Sequence, residues 1–227
     1  SEGDRADIIP DRYLVETALP LALKPDFQLK SYQKAGYYWL MGLERDAERK
    51  GGLLADDMGL GKTFQIITFL ARLKETQRLS PSLIVFPKAL LTNWNSEIQK
   101  FLTPGYLQTY IYYEGNFDIE TVGNSDITLT TYETLRRKQL ELGRIKFKAI
   151  VLDEAQGIKN SYTRVAHAVK AMNADIKVAC TGTPVENTLL DLWSLFDFFK
   201  PGFLSSMKHF KANFVSPLGS EKSTVED

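Results

Sequence analysis

The sequence predicts an α/β domain with a mostly parallel central sheet and helices on both faces. Short apolar runs recur along the 227 residues, each followed by a helix-period stretch or a loop. Most of these runs are continuous rather than alternating, which is how strands buried on both faces of a parallel sheet read. The residues richest in chemistry, a Gly-rich turn closing on Lys62-Thr63 and an acidic pair at Asp153-Glu154, stand directly after such runs. Open α/β sheets bind ligands at those carboxyl ends.

Residues 1–26 are charged, carry Pro10, Pro20 and Pro25 and lack a clear period, and they read as a lead-in segment. Ser31–Leu43 reads as a helix because Tyr32, Ala35, Trp39 and Leu43 recur at helical spacing. Strands are expected at Gly52–Ala55, Leu83–Phe86, Ile127–Thr131, Ala149–Leu152 and Lys177–Cys180. The helices between them are Lys62–Glu75, Leu91–Leu102, Glu133–Leu140 and Tyr162–Met172. Residues 190–199 form an amphipathic, aromatic-rich helix that stops before Pro201-Gly202. Residues 27–202 therefore read as one nucleotide-binding lobe and residues 203–227 as the start of a connection onward.

The composition is that of an ordinary globular chain, 44% hydrophobic and 25% charged. Formal net charge is zero, so a nucleic-acid partner cannot be argued from charge balance and would need a local surface. The single cysteine, Cys180, rules out an internal disulfide and reads as a small buried hydrophobe. One cysteine and no N-glycosylation sequon suit an intracellular protein, in the nucleoid or the nucleus according to host. No apolar run reaches the length of a membrane span.

Gly52-Leu-Leu-Ala-Asp-Asp-Met-Gly-Leu-Gly-Lys-Thr63 is written as a phosphate cradle. Glycines admit a polyphosphate close to backbone N–H groups, and the following helix N-terminus points partial positive charge at it. Asp57, Met58, Gly59, Leu60 and Gly61 would supply that loop. Lys62 would reach the β- and γ-phosphates of ATP and the Thr63 hydroxyl would ligate Mg²⁺. The generic pattern asks for Gly where this chain has Asp56. The second anchor lies 91 residues after Lys62, where a buried strand ends in Asp153-Glu154. Asp153 would help hold Mg²⁺ and Glu154 would activate the attacking water. Thr181-Gly182-Thr183-Pro184 ends the last strand, where a γ-phosphate would be sensed; alone, it reads first as a turn in which Pro stops the strand.

In this order, Asp-Asp-Met-Gly-Leu-Gly-Lys-Thr, Asp-Glu-Ala-Gln and Thr-Gly-Thr-Pro resemble motifs I, II and III of helicase superfamily two. More narrowly, the chain resembles its Snf-type branch of double-stranded-DNA translocases, which includes chromatin remodellers. In that branch an acidic residue commonly stands at the position of Asp56. The resemblance spans roughly residues 27–215. It implies the N-terminal RecA-like lobe of a P-loop ATPase, with a second RecA-like lobe of the same polypeptide supplying an arginine finger. Alone, this lobe is expected to be weakly active. Gln33, in Leu-Lys-Ser-Tyr-Gln, is implied to recognise adenine, which an amide can do through both its donor and its acceptor. Leu83-Ile-Val-Phe-Pro87 with Trp94, Glu97 and Phe101 resembles motif Ia, and Thr130-Thr-Tyr-Glu133 resembles motif Ib. These loops touch the DNA phosphate backbone in the family, making Lys88, Asn95, Thr131 and Tyr132 the candidate nucleic-acid contacts. Thr181, Gly182 and Thr183 are implied to couple nucleotide state to those loops, and a DNA-bound protein would be the motor's object.

Basic clusters at Arg136-Arg137-Lys138 and Lys146/Lys148 would flank a DNA track or simply be solvated faces. His167 and His209 lack metal-ligand spacing. Three other readings stay open: an RNA or strand-separating helicase of the same superfamily, a P-loop small-molecule kinase, and a nucleotide-binding scaffold without catalysis.

Overall fold

A computed structural model describes residues 17–55, 59, 61–115, 117–182 and 189–211. In chain order the elements are α1 (Ser31–Arg45), β1 (Gly51–Leu54), α2 (Lys62–Glu75), β2 (Ser82–Phe86), α3 (Leu91–Phe101) and β3 (Thr109–Tyr112). They continue with α4 (Ile119–Asn124), β4 (Ile127–Thr131), α5 (Tyr132–Arg137), α6 (Gln139–Leu142) and β5 (Lys146–Leu152). The last are α7 (Arg164–Lys170), β6 (Asn173–Cys180), α8 (Leu189–Phe199) and α9 (Met207–Phe210). The described strands form one sheet in the order β1-β6-β5-β2-β4-β3, and every pairing is parallel.

Helices cover both faces, and the alternation of strand side chains sorts the core in two. Ile84, Phe86, Ile127, Leu129, Ala149, Val151, Ile176 and Val178 point to the side packed by α1, α2 and α3. Leu83, Val85, Ile150, Leu152 and Ala179 point to the other side, packed by Leu135, Leu142, Ala166, Val169, Leu195 and Phe198. This two-sided burial is why the strands carry apolar residues at consecutive positions. Helix α2 is buried along most of its length, from Phe64 through Ala71.

β4 matches its predicted bounds and β1 is shifted by one residue, whereas β2, β5 and β6 run longer than the apolar runs that predict them. β5 begins at Lys146, with first residues that alternate between solvent-facing and buried, and β6 at Asn173, with three exposed or half-buried residues before its fully buried stretch. β3 lies outside the predicted strands. Among the described residues it is an edge strand paired with β4, and its Ile111 is 42% exposed; its Tyr110-Ile-Tyr-Tyr113 run is not read as a strand from the sequence. The helix predicted over Glu133–Leu140 is two helices that break at Lys138. The helix predicted from Tyr162 starts at Arg164, because the Thr163 hydroxyl accepts from Ala166 N at 3.1 Å and caps it.

The described part of the lead-in is docked. Lys24 N donates to Phe101 O at 2.9 Å, Thr103 N to Ala22 O at 2.8 Å, and the Tyr37 hydroxyl to Ala18 O at 2.8 Å. Among the described residues, no helix is long and apolar enough to cross a membrane.

Candidate nucleotide site and the adjoining loops

Because the sheet is parallel, the carboxyl ends of all six strands lie along one edge, and the chemistry collects there. β1 and β5 both pair with β6, Leu54 opposite Cys180 and Ala179 opposite Leu152. The loop leaving β1 and the acids ending β5 are therefore one strand apart, with Thr181 between them.

Gly59 and Gly61 both take left-handed backbone, φ 81° and 77°, which glycine adopts without the Cβ penalty of other residues. Gly61 is the N-cap of α2. Lys62 and Thr63 open that helix, so the cradle delivers its lysine and hydroxyl at a helix N-terminus. Asp57, Met58 and Leu60 lie outside the described residues, as does Thr183.

Gln33 comes to the same place from α1. It is 8% exposed, and its Oε1 accepts from Lys30 N at 2.9 Å, closing the first turn of its own helix. A Cβ placed on Gly61 would overlap Gln33 Nε2. Only glycine lets the amide come this close, so α1 and the cradle share one wall.

Asp153 is 9% exposed. Its Oδ2 accepts from the Trp94 indole N–H at 2.9 Å and its Oδ1 from Glu154 N at 3.0 Å. Burial raises the carboxyl's pKa above the ordinary aspartate value, against opposing contributions from the Trp94 and Glu154 hydrogen bonds and the positive charge of Lys62. With β1 and β5 flanking β6, the cradle and the acids open from the same edge of the sheet, one strand apart. Glu154 has φ 50° and ψ 52°, a strained left-handed conformation for a residue with a side chain. Its Oε2 accepts from Gln156 Nε2 at 2.5 Å, and Gln156 Oε1 accepts from the Thr181 hydroxyl at 3.2 Å. A polar chain thus runs from Glu154 through Gln156 to Thr181, which is 1% exposed, with Gly182 next to it.

These donors fit a Mg²⁺-nucleotide. Among the described residues no cluster of three or more His, Cys, Asp or Glu could hold a metal by itself. One carboxylate and one hydroxyl suit a hard cation that takes its remaining ligands from phosphates and water.

The nucleic-acid candidates divide. Lys88 is exposed in a short 3₁₀ turn after β2, with Nζ 5.1 Å from the Tyr113 ring centroid. Asn95 is half-buried on α3. Thr131 is 2% exposed, and its hydroxyl caps α5 by accepting from Thr134 N at 3.2 Å. Tyr132 is turned inward, and its hydroxyl donates to Asp153 O at 2.7 Å. In this conformation both side chains serve the fold. An open pocket of about 270 Å³ beside them is lined in part by Tyr113, Arg137 and Lys138. Lys146 and Lys148 begin β5, at the opposite edge of the sheet, where they pair with Asp175 at 3.1 Å and Glu44 at 2.9 Å.

Sequence reasoning named Trp94 and Gln156, the two side chains that hold the acids, only as members of the motif Ia and motif II resemblances and gave neither a role. A buried tryptophan needs an acceptor for its N–H. That was the available signal, but it does not say which acceptor.

Fold and site define a P-loop nucleotide-binding lobe of RecA-like architecture. The model for the SNF2-related domain matches residues 32–226, and the chain belongs to that family. It is 42% identical over 232 residues to the Zorya protein ZorD of Escherichia coli, covering 91% of this chain and 22% of that protein. It is 35% identical over 223 residues to the TATA-binding protein-associated factor MOT1 of Saccharomyces cerevisiae, covering 91% of this chain and 12% of MOT1. The fold matches the Sulfolobus solfataricus SWI2/SNF2 ATPase core in complex with dsDNA, with a TM-score of 0.79 and 37% identity over 90% of this chain and 42% of that one. The chain spans about a fifth of the length of the first curated relatives it matches, 22% and 19% of two of them.

Proposed function

We propose that this lobe binds ATP·Mg²⁺ within a DNA-dependent ATPase that translocates on double-stranded DNA and remodels protein–DNA complexes. The observation that carries the proposal is that the helix opened by Lys62 and the acids ending β5 leave the same sheet edge on either side of β6, with Gln33 against Gly61. Lys62 and the cradle N–H groups hold the phosphates, Thr63 and Asp153 hold Mg²⁺, and Gln33 reads adenine. When bound, Mg²⁺ neutralises charge on the phosphates. Glu154 orients and deprotonates the attacking water, and the strained backbone at that position aims its carboxylate. The link Glu154–Gln156–Thr181 supports the coupling role given to Thr181, Gly182 and Thr183.

Mostly positioning and charge stabilisation are asked of such a site, so the second lobe matters: an arginine supplied in trans is worth on the order of 10³–10⁵ in rate in related enzymes. The relative solved with dsDNA favours duplex DNA over RNA as the track. Lys88 and Asn95 are the proposed backbone contacts. Phosphate contacts position without reading sequence, which suits a motor. The test is phosphate release by the full-length protein with duplex DNA, single-stranded DNA or RNA present. Duplex DNA is expected to stimulate most, and Glu154→Gln to abolish turnover while ATP binding persists. Stimulation by RNA alone would favour the helicase reading, and a phosphorylated metabolite in place of free phosphate would favour a kinase.

A further inference from the structure

The tryptophan on α3 and the tyrosine opening α5 hold a single aspartate from two sides. Trp94 Nε1 donates to the Asp153 carboxylate at 2.9 Å, and the Tyr132 hydroxyl donates to the Asp153 carbonyl at 2.7 Å. Glu154 N takes the other carboxylate oxygen at 3.0 Å. Each oxygen then has one fixed donor, which sets the plane of the carboxylate and the direction of its remaining lone pairs. The indole has little freedom of its own. It is 1% exposed and stacks on Phe86, the last residue of β2, at 6.3 Å and 14° between planes. Trp94 also lies one turn into the helix that directly follows the 3₁₀ turn of the exposed Lys88.

We infer that Trp94 is a positioning residue for the metal-binding carboxylate. Through the indole N–H it fixes Asp153 in the orientation that receives a nucleotide-bound divalent cation, and it ties that orientation to the placement of α3. Tyr132 holds the backbone of the same residue from β4's side of the site. The inference rests on the reading of Asp153 as a Mg²⁺ ligand, and the test separates the two.

Affinity for a fluorescent ATP analogue is measured on the full-length protein in EDTA and in Mg²⁺, together with thermal stability. Removing an outer hydrogen bond to a metal ligand costs about 10–100-fold in metal affinity. Trp94→Phe is therefore expected to leave the EDTA affinity unchanged and to reduce the Mg²⁺-dependent gain by about tenfold or more. Replacing Trp94 by benzothienylalanine, which keeps the ring shape and lacks only the N–H, is expected to do the same with the melting temperature unchanged. This second variant answers the question if the phenylalanine variant folds poorly. A full Mg²⁺-dependent gain in the isostere, or equal losses in EDTA and Mg²⁺, overturns the inference. Asp153→Asn is the control for the underlying reading. If it too keeps the full gain, Asp153 is not a ligand and both fall. If it loses the gain while the isostere keeps it, only the role of Trp94 falls.

Discussion

Gly36→Ala is expected to destabilise the lobe even though it removes a glycine from a helix. On propensity alone, alanine in α1 would gain about 0.8–1 kcal/mol. The structure opposes that gain: a Cβ on Gly36 would overlap Gln65 Oε1 and stand 3.0 Å from its Cδ, with Leu54 Cδ1 at 3.5 Å. Gln65 is fully buried on α2, so its amide cannot swing into solvent. Overpacking of this kind costs about 1–3 kcal/mol. The net expectation is a loss of up to about 2 kcal/mol, a fall in melting temperature of up to roughly 8 °C for a domain of this size. Gly36 lies one turn beyond Gln33, so any widening between α1 and α2 also draws Gln33 from Gly61 and weakens nucleotide binding. The assay is denaturation of four proteins: parent, Gly36→Ala, Gln65→Ala and the double variant. In the Gln65→Ala background the obstruction is gone, and Gly36→Ala should reverse sign and stabilise by about 1 kcal/mol. Stabilisation by Gly36→Ala in the parent would refute the close approach of α1 and α2.

Thr131→Ala removes the α5 cap and is expected to cost about 0.5–2 kcal/mol in urea denaturation. Duplex affinity of the full-length protein should change little, since the hydroxyl is engaged inside the fold; a large loss of affinity at unchanged stability would return Thr131 to the DNA face. Burial lowers the pKa of Lys177 below 10.5, with Asp197 opposing, and its ammonium lies 5.3 Å from the Phe198 ring centroid. Between the lowered folded value and 10.5 the unfolded chain binds more protons, so stability should rise with pH through that window. Lys177→Met should abolish this rise and leave the lobe at pH 7 as stable or more so, by up to about 2 kcal/mol; a clear destabilisation would show that the ring contact outweighs burial.

The interior strands were legible because two-sided burial writes continuous apolar runs, as in Leu83–Phe86 and Ala149–Leu152. β3 was missed although Thr109-Tyr-Ile-Tyr-Tyr113 is strand-type sequence; at the sheet edge its burial is partial, so it lacks the aliphatic run that marks the interior strands. The ends of β5 and β6 were lost where Lys146 and Asn173 interrupt the apolar pattern while the backbone pairing continues. In the site, residue types named the chemistry but not the geometry. Nothing local places Gln33 against Gly61, or brings the Tyr132 hydroxyl to the Asp153 carbonyl; both follow from how the elements pack. Side chains that act through other side chains, Trp94 and Gln156 here, leave no periodic trace at all.

A structure of the full-length protein with Mg²⁺ and a non-hydrolysable ATP analogue measures most directly whether the loop after β1 and the acids after β5 serve one nucleotide. The expected result is a Lys62 ammonium on the terminal phosphates and a single cation shared by the Thr63 hydroxyl and the Asp153 carboxylate, with Gln33 on the adenine edge. A nucleotide seated elsewhere, or a cation at the phosphates with Asp153 turned away from it, would contradict the assignment of this site.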